Sequence, residues 1–270
     1  MASLQAQKRR IKSIDSTSNI ARAMELVSSV KLKKLKYKYE QSIRYLNELE
    51  KVINEVLYLT ENDFKFNKEG IDVNIVITSN LGLCGAYNEE VLRLIDSLND
   101  HNASYIVFGE KGISYLKNKN YDILFLYSEY NAFEDTDLQE EFSEHLFELV
   151  KNSKIKSLNV IYTKYINNLK YEVVNEKVYP FNLEKGKIDT LYLIESSDEE
   201  MIKHLVSLLV RTKINSVLLN SVLSENASRN NAMKNAKDNA DELKRELKLV
   251  YNKLRQQQIT TELSDIVNGM

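Results

Sequence analysis

Ala236-Lys237-Asp238-Asn239-Ala240-Asp241-Glu242-Leu243-Lys244-Arg245-Glu246-Leu247-Lys248-Leu249-Val250-Tyr251-Asn252-Lys253-Leu254 decides the fold. Ala236, Ala240, Leu243, Leu247, Val250 and Leu254 recur in it at alternating intervals of four and three. Such heptad spacing predicts one apolar stripe along a long helix, shaped to lie against another helix. From Ser197 to Val267 there is neither proline nor glycine, so nothing in the surrounding stretch breaks a helix. Beyond Leu254, Arg255, Gln256, Gln257, Thr260 and Glu262 form a polar belt, while Ile259, Leu263, Ile266 and Val267 continue an apolar face. Apolar residues kept to the tip of a helix need cover, and a partner supplies it.

Working outward, the helix breakers cluster in the middle. All glycines but Gly269, and the single proline Pro180, lie between Gly70 and Gly186. The N-terminal segment from Ser3 to Leu57 is again free of them, with Ile20, Met24, Val27 and Val30, then Tyr39, Ile43, Leu46, Leu49, Ile53 and Val56 at helical spacing. At 1.5 Å rise per residue such a helix is a rod of roughly 80 Å, and it cannot bury its own stripe. The economical arrangement pairs the two terminal helices with each other. They would be antiparallel, because a compact domain joins them. Between the two apolar groups lie Lys31, Lys33, Lys34, Lys36 and Lys38, either a solvated face or a basic collar for an acidic partner.

The middle changes period. Val73 to Thr78, Tyr105 to Phe108, Ile123 to Leu126, Ser157 to Thr163 and Tyr171 to Tyr179 read as strands. Helices follow from Asn88 (a candidate N-cap) to Leu98, after Gly109-Glu110-Lys111-Gly112, and from Thr136 with Gln139 as a capping box to about Lys151. Ser197 with Glu200 predicts the start of the last helix. Alternating strands and helices imply a mainly parallel sheet. The expected fold is therefore α/β plus a long coiled coil: an antiparallel pair of terminal helices and a central Rossmann-like α/β domain. The expected divisions are residues 1–60, 61–196 and 197–270.

Composition narrows the function. A net charge of -2 over 270 residues gives no general reason for nucleic-acid binding. No run approaches the roughly 18 apolar residues of a membrane span, and Met1-Ala2-Ser3-Leu4 carries no signal core, so neither a bilayer span nor a leader is expected. The single Cys84 excludes an internal disulfide and fits a reducing, cytoplasmic compartment, while His101, His145 and His204 lack metal-site spacing. Thr78 to Asn88 is a glycine turn between strand and helix, where α/β folds bind phosphates, yet it matches neither G-x-G-x-x-G nor a P-loop. Cys84 has no neighbouring base in sequence. No catalytic residue, metal ligand or cofactor is expected.

Ile20-Ala21-Arg22-Ala23-Met24-Glu25-Leu26-Val27, the Thr78–Asn88 turn, Gly109-Glu110-Lys111-Gly112, Ala227-Ser228-Arg229-Asn230-Asn231-Ala232-Met233, and Leu249 to Leu263 together resemble one family. Over nearly its whole length the chain is similar to the gamma subunit of F-type ATP synthases. The resemblance implies a rotor shaft inside a ring of alpha and beta subunits, with its α/β foot, beside the epsilon subunit, on a membrane c ring. It implies that ion-driven rotation cycles the catalytic sites of beta, that this chain is not itself catalytic, and that it lies peripherally at the cytoplasmic face of a bacterial membrane. By position it assigns Arg255, Gln256, Thr260 and Glu262 to contacts with the ring near the top of the shaft. Met24, Lys31, Lys33 and Lys34 would face the acidic helix-turn-helix of beta, and Tyr192 the c ring. Asn80-Leu81 depart from the family's Asp-Arg, so no charge contact is assigned to that turn. The rival readings are a coiled-coil adaptor or nucleic-acid-binding protein using the lysine-rich helix, and a small α/β enzyme using the glycine turn.

Overall fold

The computed structural model describes residues 4–59, 69–128, 136–151, 154–181 and 199–269. The elements run α1 (Leu4–Leu59), β1 (Ile71–Ile77), α2 (Tyr87–Leu98), β2 (Ser104–Phe108), α3 (Glu110–Asn118), β3 (Ile123–Tyr127), α4 (Thr136–Lys151), β4 (Ile155–Tyr165), β5 (Tyr171–Tyr179) and α5 (Glu199–Asn268). They form two compact units, Met1–Val30 with Arg229–Met270, and Lys31–Ser228. The divisions expected at 60/61 and 196/197, the Ser197 cap and Tyr192 all lie outside the described residues.

The larger unit is a five-stranded sheet in the order β3-β2-β1-β4-β5. β1 pairs in parallel with β2 and β4, β2 with β3, and among the described strands only β5 is antiparallel, to β4. β1, β2 and β4 are near-continuous apolar runs because both faces of the sheet are covered. On one face Ile75, Phe108, Leu158 and Val160 pack with Leu46 and Ile53 of α1, Phe142 of α4, and Ile202, Val206, Val210 and Leu218 of α5. On the other, Val76, Val107 and Ile161 pack with Val91 and Ile95 of α2 and Ile113 and Leu116 of α3. The parts of the terminal helices that belong to this unit are thus core helices of an α/β layer, not a free coiled coil. This also accounts for an 18-residue window within Met201–Asn268 that is apolar enough to cross a membrane: 61% of it is buried. The lysine-rich interval conforms, since Leu35 points inward while Lys31, Lys33, Lys34, Lys36 and Lys38 are exposed.

The smaller unit is the antiparallel helix pair, and its seam is more polar than the heptad count predicts. Ser18, Ala21 and Ser28 of α1 are buried, as are Met233 and Ala240 of α5. Ser18 Oγ donates to Asp241 Oδ1 at 2.9 Å, Asn230 Nδ2 to the Glu25 carbonyl at 2.9 Å, and Lys237 Nζ to Glu25 Oε2 at 3.0 Å. Lys244 pairs with Asp15. Small side chains let the two backbones approach, and paired polar groups at seam positions fix register at some loss of stability. In consequence Leu243 and Val250 of the expected stripe are 49% and 45% exposed, and Ile20, Val27 and Val30 of α1 also face outward.

The hydrogen bond from Lys244, and its charge with those of Lys248 and Arg22, hold the Asp15 carboxyl below its ordinary 3.8. A folded value lowered in this way means the pair's contribution is complete above pH 3.8 and lost as pH falls through the folded value. Asp15→Asn is therefore expected to melt earlier than the parent at neutral pH, with the gap closing below pH 3.8. A gap in melting temperature that is constant across that range would show that the pair contributes nothing.

Candidate functional site

The crevice of an open α/β sheet lies where strand order reverses, at the carboxyl ends of the strands. Here that point is the end of β1, between β2 and β4, and the Thr78–Asn88 turn occupies it. A ligand there would use the free N–H groups at the start of α3. Those amides are already taken. Glu110 N donates to Asn80 Oδ1 at 3.2 Å, Lys111 N to the Ser79 carbonyl at 3.2 Å, and Gly112 N to Thr78 Oγ1 at 2.8 Å. The Thr78 hydroxyl in turn donates to the Phe108 carbonyl at 2.9 Å. A side chain at Gly109 or Gly112 would collide with Thr78, so both glycines are required by close approach and not by a phosphate.

The turn is also locked to α5. Tyr87, fully buried, shares a hydrogen bond with Ser221 Oγ at 2.8 Å, and Ser228 Oγ donates to the Cys84 carbonyl at 2.5 Å. Asn88 is not the N-cap of α2. The helix begins at Tyr87 after Ala86 without a side-chain cap, and Asn88 folds back to accept from Ser79 N at 3.0 Å and to donate to Cys84 Sγ at 3.3 Å. Cys84 is buried among these amide and hydroxyl groups. The histidines are placed elsewhere: His101 stacks on Tyr121, His145 on Phe125, and His204 lies against Phe147. The crevice is a packed joint between sheet and helix. Sequence reading missed Ser221 and Ser228, although polar residues at Asn220, Ser221, Ser224 and Ser228 in an otherwise apolar helix are the trace of it. Tyr87→Phe should cost the larger unit about 1–2 kcal/mol in urea unfolding. An unchanged midpoint would mean that the lock carries no load.

Of the expected contact residues, those at the tip lie on the helix pair. Asp15 meets Lys244 and Ser18 meets Asp241, so at the same register Leu4 stands opposite Arg255. From Arg255 to Gly269 every residue of the chain is exposed. Arg255 and Gln256 make no side-chain hydrogen bond or ion pair among the described residues. Thr260 Oγ1 donates to the Gln256 carbonyl at 2.9 Å and Glu262 Oε1 accepts from Gln258 at 2.9 Å. Leu263 and Val267 share a face with Gln256 and Thr260, as Ile259 and Ile266 do with Arg255 and Glu262. Met24 is half-buried at the seam, so only part of it is available. Lys31, Lys33 and Lys34 belong to the other unit and project from α1 into solvent.

These features define a scaffold of long helices with an α/β unit whose ligand crevice is closed by its own residues. The ATP synthase family model matches residues 3–270. An ATP synthase gamma chain of Clostridium kluyveri is 35% identical over 99% of this chain and 97% of its own. That of Fusobacterium nucleatum is 32% identical over 100% and 99%. The chain belongs to the ATP synthase gamma-chain family. Among solved structures, the fold is similar to a chain of the Euglena gracilis mitochondrial ATP synthase OSCP/F1/c-ring assembly, with a TM-score of 0.69, 17% identity, and 99% and 93% of the two chains covered. A chain of the Tetrahymena thermophila mitochondrial ATP synthase central stalk and c ring gives a TM-score of 0.60 at 23% identity, covering 80% and 99%.

Proposed function

We propose that this chain is the central rotor shaft of an F-type ATP synthase. It couples ion-driven rotation of a membrane c ring to conformational cycling of the catalytic beta subunits. The observation that carries this reading is the tip of α5, exposed from Arg255 to Gly269 with apolar residues that no described residue covers. Its partners are the alpha and beta subunits around the helix pair, and the epsilon subunit and c ring at the α/β unit. Catalysis belongs to beta. An asymmetric shaft biases each beta subunit through differential contacts as it turns, which is a mechanical shift of conformational populations.

Arg255, Gln256, Thr260 and Glu262 are the contacts at the tip, and Met24, Lys31, Lys33 and Lys34 face acidic surface on beta. Charge pairs of this kind align two surfaces more than they bind them, which suits an interface that must slide. Tyr192 is the contact toward the c ring. The complex sits peripherally at the cytoplasmic face of a bacterial membrane. The purified chain is expected to hydrolyse no ATP and to co-purify with alpha and beta subunits from its own cell extract. Recovery of neither subunit, or hydrolysis by the chain alone, would overturn the reading.

A further inference from the structure

Each helix of the pair carries two heptad rows, and the pair closes on the less apolar one. On α1, Ile11, Ile14, Ser18, Ala21, Glu25 and Ser28 are buried or half-buried at intervals of three and four. On α5, Met233, Lys237, Ala240, Lys244 and Leu247 are so placed at intervals of four and three. These rows form a seam of the coiled-coil kind, yet Glu25, Lys237 and Lys244 occupy core positions in it. The second row lies one residue earlier on both helices: Ile20, Met24 and Val27 on α1, and Ala236, Leu243 and Val250 on α5. Of these, Ile20, Val27, Leu243 and Val250 are between 45% and 61% exposed. Rolling each helix by one residue, about 100°, would exchange the rows. Burial alone favours that exchange, because it covers four large apolar side chains and returns the seam charges to water.

We propose that the Glu25–Lys237 pair selects between these two seams, holding the helices on the polar row and the apolar row on the outside. The selector stands on the helix pair alone and does not rest on the rotor reading. Lys237 Nζ donates to Glu25 Oε2 at 3.0 Å, and the two side chains are only 21% and 22% exposed. Asn230 reinforces the contact by donating to the Glu25 carbonyl at 2.9 Å. These groups meet only when the polar rows face each other, so rolling the helices forfeits every one of these bonds. A half-buried charge pair adds little net stability against an apolar alternative, but it is costly to break by changing one partner. That asymmetry suits a group whose task is to choose a packing and not to strengthen it.

The test measures the distance between spin labels on the full chain by double electron–electron resonance. Labels go on cysteines introduced by Ser13→Cys and Glu246→Cys, both exposed positions, while the native Cys84 is buried. Lys237→Glu places two carboxylates against each other in the polar seam. It is expected to keep its helicity by circular dichroism and to move most of the distance distribution by about 5 Å, the scale of a one-residue roll. The charge swap, Glu25→Lys together with Lys237→Glu, is expected to restore the single parental distance. A Lys237→Glu chain that keeps the parental distance alone would overturn the inference, because the pair would then choose nothing. So would a swap that leaves the distance displaced, since the attraction would not be the selector. Loss of helicity in Lys237→Glu would overturn it as well, by showing that the pair holds the helices together and no second seam takes over.

Discussion

Gly109→Ala is expected to destabilise the α/β unit by about 3–5 kcal/mol, lowering its thermal midpoint by about 10 °C. Gly109 has φ +90, a conformation that L side chains rarely adopt. A Cβ there would stand 2.2 Å from the Thr78 carbonyl oxygen and 2.6 Å from its carbon. Both are backbone atoms, so no rotamer relieves the contact. The chain must move apart at the end of β1, where Thr78 N donates to the Phe108 carbonyl and Gly109 N to the Tyr127 carbonyl, both near 3 Å. The same shift pulls Thr78 away from the α3 amides that it and its neighbours satisfy. Gly82 is the control: a Cβ there meets nothing within 4 Å, and Gly82→Ala should stay within about 0.5 kcal/mol of the parent. If the two variants unfold at the same temperature, the packed-joint reading of this turn is wrong.

The difference between those two glycines was not visible in sequence, where both sit in strand-to-helix turns. What could be read was the coarser pattern. Long stretches without breakers foretold α1 and α5, and β-branched runs foretold five strands within a residue or two of their ends, because each signal comes from local backbone preference. The register of the helix pair was less legible. A stripe of Ile20, Val27 and Val30, or of Leu243 and Val250, says that a face will be covered without saying by what. The count assigned both stripes to the seam within the chain. Of the expected α5 stripe, Ala240 is buried and Ala236, Leu247 and Leu254 are half-buried, while Ser18, Ala21, Ser28 and Met233 fill the rest of the seam and Leu243, Val250, Ile20, Val27 and Val30 turn outward. A chain that is buried in an assembly carries two sets of apolar residues, one for itself and one for its neighbours, and periodicity alone does not separate them. Asn88 failed for a related reason. Its type suits an N-cap, but a tertiary partner, the Ser79 amide nine residues earlier, outcompeted the local role.

Arg255→Leu combined with Gln256→Leu should leave folding intact and cut coupled function by about an order of magnitude or more. The first half follows from burial. Both side chains are exposed and make no contact that the fold depends on, and surface changes of this kind stay within about 0.5 kcal/mol. The second follows from what a guanidinium and a primary amide offer a partner. Arginine presents a planar fork for paired hydrogen bonds to a carboxylate, and the amide both donates and accepts. In the proposed ring contact, replacing them by leucine would strand the partner's groups, a loss of about 2 kcal/mol or more, roughly thirtyfold, for a central interface residue. Thr260 is expected to matter less, because its hydroxyl proton is already given to the Gln256 carbonyl. Thr260→Ala should therefore retain most of the coupling that the double variant loses. Complexes reconstituted with each variant and assayed for ATP-driven ion pumping, alongside thermal unfolding of the isolated chains, decide it. Assembled complexes that pump normally with both leucines present would remove Arg255 and Gln256 from the ring contact and leave the apolar face of Ile259, Leu263 and Ile266 to carry it alone.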